Sequence, residues 1–336
     1  MLPLTEDLPF QALRKTWQPV ALSRDVAAGK VVGYRLLGVD LAISRFPGGR
    51  LMVSQAACPH KGMRLERGCV EGDALRCAYH GWRFDAAGAC VNIPSLIEPV
   101  PNKQEQARLA TYAVRERYGL IWARLDAEEL APLPDVPEFE SPEWTYRVAE
   151  PMVFQSGFRR EIENYLDMTH FAFAHATTLG AAADSVVPAM KIEEYADGFQ
   201  MDAPFPALAA PKTEPGKLQQ AHRRRQRCWL PNFTTIRQTF ADGDERVLVH
   251  IPSPNDLERC TVFWSLAISP KFRGPSPDEQ LRFAVAVLEE DRAMCENQLP
   301  KEVPINPAKG GWGVLVTPGD TLANTFQRAF RKFLTK

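Results

Sequence analysis

The pattern of apolar and polar positions divides the chain into two differently built halves. In the first, VVGYRLL and LAISRF, within residues 31–46, read as strands flanking a short GVD connection, and FPGGR makes the next turn. Glu71-Gly72-Asp73 and Asp85-Ala86-Ala87-Gly88 are further turns between short strand-like runs, and YGLIWARL (118–125) reads as a closing strand. This half is mostly β. The second half is mixed. RREIENYLDMTHFAFAH (159–175) begins with helical character, and strand signals recur at 190–201, 223–240, 246–252 and 259–269. Residues 203–220 are rich in Pro and Ala and read as a mobile loop. Ser276-Pro277-Asp278-Glu279 combines a capping box with Pro at the first helical position, which predicts a helix from about 277 to 299, stopping at Pro300. A short helix is expected over 320–334.

Between the halves, Pro132, Pro134, Pro137 and Pro142 occur with seven acids inside residues 126–144. Such a segment is stiff, extended and solvated, as an interdomain linker is. The expected domains are 1–130 and 131–336.

Composition narrows the partners. The 336 residues are 45% hydrophobic, ample for two cores, and Lys+Arg 40 against Asp+Glu 41 leaves a net charge of -1. No strong field favours nucleic acid or an acidic membrane. No run approaches the roughly 20 apolar residues of a membrane-spanning helix, and MLPLTEDLPF lacks the features of a secretory signal. Seven cysteines, an odd number, read as free or metal-bound thiols in a reducing compartment, so the expected location is cytoplasmic.

Histidine placement carries the chemistry. Cys58-Pro59-His60 is followed, after sixteen residues, by Cys77-Ala78-Tyr79-His80, with Gly62 and Gly81 behind the two histidines. Each short loop offers one thiolate and one imidazole. Zinc fingers group their cysteines together and their histidines together, which these loops do not, although structural zinc stays an alternative. A Rieske 2Fe-2S cluster takes two Cys on one iron and two His on the other. Two matched loops fit that demand. Cys69 and Cys90 read as small packing residues.

His170 and His175 form a second group. Five residues set them about 140° apart on an ideal helix, so the helix must end or distort near His170 if both hold one metal. Asp167 falls on the His170 side. Two histidines and one carboxylate hold Fe(II) with positions left for oxygen in non-haem iron oxygenases. A third donor is sought in EEDRAMCENQLP, on a helix whose apolar face runs through Leu281, Ala284, Val285, Leu288 and Cys295. Asp291 lies about 60° from Leu288 at the edge of that face, and Glu290 about 200° away. Asp291 is the better candidate, Glu290 the alternative.

Residues 15–125 resemble a Rieske domain, and the whole chain resembles the terminal oxygenase (α) component of Rieske non-haem iron oxygenases. The two extra cysteines of respiratory Rieske proteins correspond here to Met63 and Tyr79, and Trp82 also fits the oxygenase branch. The resemblance implies an α+β chain: an all-β Rieske 2Fe-2S domain, then a helix-grip-like catalytic domain in which helices wrap an antiparallel sheet. It implies Cys58, His60, Cys77 and His80 as cluster ligands and His170, His175 and Asp291 as ligands of a mononuclear Fe(2+). It further implies a homotrimer in which Asp167 links His80 of one subunit to His170 of the next, with Asn164 near the iron. Electrons would come from an NAD(P)H-dependent flavin/iron-sulfur reductase, directly or through a ferredoxin. Asn164 and Asp167 are three apart, as in aromatic O-demethylases and related monooxygenases. That favours hydroxylation or oxidative demethylation of a small, aromatic substrate. Ring cis-dihydroxylation is one alternative, and an electron carrier with an inactive second domain another. For the pocket, residues 154–158, 200–210 and the strands of Phe233, Phe240 and Trp264 are candidates, with Phe171 and Phe173 assigned to packing. The run Arg223–Arg227 reads as a solvated strand, or as a site for an anionic substrate or an acidic ferredoxin.

Overall fold

The structure, a computed structural model, describes residues 8–97, 101–180, 186–204, 221–305 and 315–335. The chain divides into two compact units, Phe10–Pro132 and a unit built from Leu133 onward.

After helix α1 (Leu8–Arg14), the first unit is built of β1 (Gln18–Leu22), β2 (Val31–Leu36), β3 (Val39–Arg45), β4 (Leu51–Gln55), β5 (Cys69–Glu71), β6 (Ala74–Arg76), β7 (Arg83–Phe84), β8 (Cys90–Asn92), the short α2 (Pro101–Gln106), β9 (Thr111–Arg117) and β10 (Leu120–Arg124). Six strands make one antiparallel sheet, ordered β1-β10-β9-β4-β3-β2, and four short ones a second, β5-β6-β7-β8. The β2–β3 turn is Leu37-Gly38, with φ of 50° and 79°. Both central residues being left-handed is what a two-residue hairpin turn needs, so Val39 and Asp40 belong to the strand rather than to the expected GVD connection. Phe46, Leu65, Leu75 and Phe84 form a core beneath the smaller sheet.

The second unit contains β11 (Thr145–Val148), β12 (Met152–Phe154), α3 (Phe158–Leu166), α4 (Phe171–Ala174), β13 (Lys191–Tyr195), β14 (Gly198–Pro204), β15 (Ala221–Trp229), β16 (Phe233–Phe240), β17 (Glu245–Pro254), β18 (Cys260–Ile268), α5 (Pro277–Glu296) and α6 (Thr321–Phe333). Its strands form one antiparallel sheet, β11-β18-β17-β16-β15-β14-β13, with β12 also paired to β18. Helix α3 packs on α5, α6 and β17, and α5 on β12 and β18. An antiparallel sheet with helices packed on it is the expected architecture. Residues 205–220, the core of the expected mobile loop, lie outside the described residues.

The capping box at Ser276 forms as the sequence predicts. The helix ends at Glu296, short of the expected 299. The Asn297 side chain donates to the Ala293 carbonyl, and Lys301 donates to that of Glu296. The last turn is thus closed by side chains before Pro300 disfavours helical geometry at its predecessor.

Candidate metal centres and cavity

The two Cys/His loops have nearly superposable hydrogen bonding. Cys58 N–H donates to the Met63 carbonyl (2.9 Å) and Gly62 N–H to the Cys58 carbonyl (2.9 Å), while Cys77 N–H donates to Trp82 (2.9 Å) and Gly81 N–H to Cys77 (3.1 Å). Gly62 and Gly81 have φ of 70° and 71°, so each loop closes through the left-handed region that glycine adopts without strain. Cys58 and Cys77 are buried, at 2% and 1% exposure. Their side chains are hydrogen-bonded, and burial foremost pushes the Cys58 thiol up to about 11. The imidazoles of His60 and His80 lie edge to face at 4.5 Å, and Trp82 stacks on His60 at 4.5 Å. His60 Nδ1 is buried without a hydrogen-bond partner. Two adjacent buried thiols and an orphaned imidazole nitrogen are the donor set that a Rieske cluster takes up. Cys90 packs into the same core, and Cys69 touches Glu71 and Arg76. Cys90 is thus a core residue, and Cys69 sits at the half-exposed start of β5.

In the second unit the helix breaks where the His170–His175 spacing demands. Helix α3 stops at Leu166, and Asp167 turns to extended backbone (φ -74°, ψ 143°). His170 is the N-cap of α4, and a π-helical turn over Ala176–Gly180 follows His175. Asp167 therefore reaches His170 through a turn rather than along a helix face. Its carboxylate accepts from the Thr169 and His170 N–H groups (2.7 and 3.2 Å) and lies 2.9 Å from His170 Nδ1. Burial opposes ionisation of Asp167, but these bonds outweigh it and hold the carboxyl below its usual range.

The two Nε2 atoms are 3.1 Å apart, and Asp291 Oδ1 lies 3.1 Å from His175 Nε2 and 3.4 Å from His170 Nε2. Bonds of about 2.1 Å to one ion put neighbouring donors about 3 Å apart, so this set fits a metal. Among the described residues, His170, His175 and Asp291 are the group whose ligand atoms all lie within 4.8 Å. Asn164 donates to Asp291 Oδ1 at 2.7 Å. Burial works against the Asp291 charge, yet its contacts with His170, His175 and Asn164 hold the carboxyl well below the usual range.

Sequence reasoning missed one participant. Glu290, weighed only as a substitute ligand, lies 2.8 Å from His175 Nδ1 and accepts from the hydroxyls of Thr177 and Thr178. Each imidazole thus has Nδ1 fixed by a carboxylate and Nε2 turned to the centre, as orienting partners do at metal sites. The signal is obscured because one member of the expected α5 face, Val285, does not turn inward, although Ala284, Leu288 and Cys295 do. Gln280, Leu288, Asp291 and Cys295 are buried, whereas Val285 is 40% exposed. The inward face is rotated toward Phe283 and Val287, which centres Asp291 and brings Glu290 within reach of His175.

A cavity of about 120 Å³ adjoins the triad, walled by α3, α4 and α5 and floored by β15–β18. Of the candidates named from sequence, both strands line the cavity, that of Phe233 and Phe240 through Ile236 and Gln238 and that of Trp264 through Trp264 itself; residues 154–158 and 200–204 do not, and 205–210 lie outside the described residues. Phe171 lines the cavity as well as packing, while Phe173 is 74% exposed. The basic run splits by strand alternation. Arg223 and Arg225 pair with Asp202 and Arg227 with Asp197, whereas Arg224 turns inward to the cavity. Among the described residues no helix is long and apolar enough to cross a membrane.

Residues 16–112 match the family model of the Rieske [2Fe-2S] domain, and residues 154–336 that of the vanillate O-demethylase oxygenase C-terminal domain. The chain is similar to the methylxanthine N3-demethylase NdmB of Pseudomonas putida, at 29% identity over 315 residues, covering 90% of this chain and 85% of that protein. In fold it resembles the structure of NdmA of Pseudomonas putida CBB5 with caffeine (TM-score 0.82, 24% identity, 97% of this chain and 96% of that one). It also resembles dicamba monooxygenase bound to dicamba (TM-score 0.81, 20% identity, 96% and 98%).

Proposed function

The chain belongs to the Rieske non-haem iron oxygenases, in the O-demethylase branch, and from that premise we propose the residues and steps by which it oxidatively demethylates a small organic substrate. It is an oxidoreductase whose family carries a 2Fe-2S cluster and a mononuclear iron, takes electrons from a reductase or ferredoxin and uses O2. Cys58, His60, Cys77 and His80 hold the cluster, and His170, His175 and Asp291 hold the iron. The observation that carries this reading is the convergence of two Nε2 atoms and one carboxylate oxygen on the wall of a cavity.

The bound metals supply electron delivery and oxygen activation. The protein's own residues do the rest. Asp167 and Glu290 fix the imidazole orientations through Nδ1, and Asn164 holds the Asp291 carboxylate. The apolar walls exclude water and present a methyl group to the triad. Hydroxylation of an O-methyl or N-methyl carbon gives a hemiacetal or hemiaminal, which collapses to formaldehyde and the free hydroxyl or amine. One O2 and two electrons from NAD(P)H are consumed, and the second oxygen atom leaves as water. The named demethylase activity of the relative NdmB and the three-residue spacing of Asn164 and Asp167 favour this over ring dihydroxylation. The assembly proposed is a cytoplasmic homotrimer, in which Asp167 accepts from His80 of a neighbouring subunit and from His170 of its own; seven free cysteines suit a reducing interior.

The test couples the purified protein to a surrogate NAD(P)H reductase and a panel of methoxy- and N-methyl compounds. Formaldehyde equal to the O2 consumed is expected. A cis-diol product, or cluster reduction with no substrate oxidised, would contradict the reading.

A further inference from the structure

One buried guanidinium touches both sides of the chain break between α3 and α4. Arg224 on β15 is 3% exposed, and among the described residues no acid is ion-paired with it. Its Nη2 donates to the Tyr165 carbonyl (3.2 Å), in the last turn of α3, and to the Gln226 amide oxygen (2.9 Å). Gln226, two residues along the strand on the same face, is fully buried and donates to that same Tyr165 carbonyl at 3.1 Å. On the far side of the break, the guanidinium carbon lies 5.4 Å from the ring centre of Phe171, the first residue of α4.

The last four carbonyls of a helix lack partners within it, and the aligned peptide dipoles leave that end negative. At the end of α3 the Asp167 N–H takes up the carbonyls of Glu163 and Asn164 (3.0 and 3.1 Å). The Tyr165 carbonyl goes instead to Arg224 and Gln226. A charge withdrawn from water is costly unless it is compensated. Arg223, Arg225 and Arg227, on the other face of the strand, have acids beside them. Arg224 has the negative end of a helix and an aromatic face. Burial foremost pulls its guanidinium down to about 10, against the pull of Tyr165, Asp167 and Asp291, so it is charged at neutral pH. The chain held in this way carries three groups of the iron site. Asn164, next to Tyr165, donates to Asp291; Asp167 holds His170 Nδ1; and His170 precedes Phe171.

We propose that Arg224, seconded by Gln226, is a positioning residue of the iron site: it caps the C-terminus of α3 and pins Phe171 of α4, and so fixes the span that carries Asn164, Asp167 and His170. It acts on the metal only through those three residues. A cation at a helix C-terminus and a bond to an orphan carbonyl are each ordinary capping devices; here they come from a strand rather than from the helix itself. The inference rests on His170, His175 and Asp291 holding iron, as the proposed function has it.

The test measures Fe(II) affinity of the full chain, with its cluster in place, by anaerobic competition against graded chelator, beside Tm and the visible spectrum. Arg224→Met is expected to weaken Fe(II) binding about tenfold or more, the usual cost of losing an outer partner of a metal site, with cluster absorption unchanged. Arg224→Lys, which keeps the charge and a donor, should recover most of that loss. Arg159→Met is the control: Arg159 is equally buried in the first turn of α3 and paired with Glu302, and its loss should lower Tm without weakening iron. If Arg224→Met fails to fold, Gln226→Leu removes one of the two donors to the Tyr165 carbonyl and should weaken iron in the same direction. Wild-type iron affinity in the Arg224→Met or Gln226→Leu protein, a Lys variant no better than Met, or an equal iron loss in Arg159→Met would overturn the proposal and leave the iron site standing. A wild-type chain that takes up no iron beyond its cluster would overturn the site and the proposal together.

Discussion

At the residue scale, the iron site depends on groups that never touch the metal. Glu290 holds His175 through Nδ1 as Asp167 holds His170. Losing such an orienting carboxylate costs about 10- to 100-fold in metal affinity. Glu290→Gln is therefore expected to weaken Fe(II) binding by about that factor, measured as iron retained after dialysis against graded chelator. Glu289→Gln, one residue away and paired outward with Arg292, should not. His60→Ala should abolish the reddish-brown visible absorption of the cluster if, as proposed, the partnerless His60 Nδ1 is one of its four donors. The cluster loops were legible in the sequence because cysteine and histidine are rare and their spacing is strict. Glu290 was not, because its role depends on the rotation of α5, and a shift of the face from Val285 to Val287 moves it from solvent to the site.

At the element scale, the breaks matter as much as the helices. The i, i+5 spacing of His170 and His175 does not suit one regular helix; α3 ends at Leu166, and the chain sets the two histidines at the two ends of the short α4, with His175 off helical geometry (φ -102°, ψ 22°). Spacing alone exposed the break; its position, earlier than His170, follows from Asp167 capping the next turn. Helix α5 carries both Glu290 and Asp291 and begins at the Ser276 capping box. Ser276→Ala should cost about 1 kcal/mol, seen as a fall of a few degrees in Tm with iron content unchanged. A larger loss, or loss of iron, would mean that the N-terminus of α5 governs the site at its far end. Strand β15 shows the limit of pattern reading. Arg223 to Arg227 look like one basic patch in sequence, but the two-residue period sends Arg224 inward and its neighbours out.

At the scale of the whole molecule, the chain joins an electron-carrying unit to an oxygen-using one. The architecture of each was readable, from matched β-hairpin loops in one and strand runs with a capped helix in the other. The cavity was not, since its lining combines side chains from α3–α5 and β15–β18 that no local pattern links. If electrons cross between subunits through Asp167, then Asp167→Asn should keep iron and sulfide near wild-type content while turnover under continuous reductase falls steeply. Near-normal turnover would mean that Asp167 does not bridge the subunits.

The most direct test of the central claim is to count iron and acid-labile sulfide per chain after anaerobic purification and Fe(II) resupply, with the visible spectrum recorded on the same sample. About three irons and two sulfides with Rieske-type absorption are expected. Two irons and two sulfides, with no further iron taken up, would contradict the mononuclear site. Zinc without sulfide would contradict both centres.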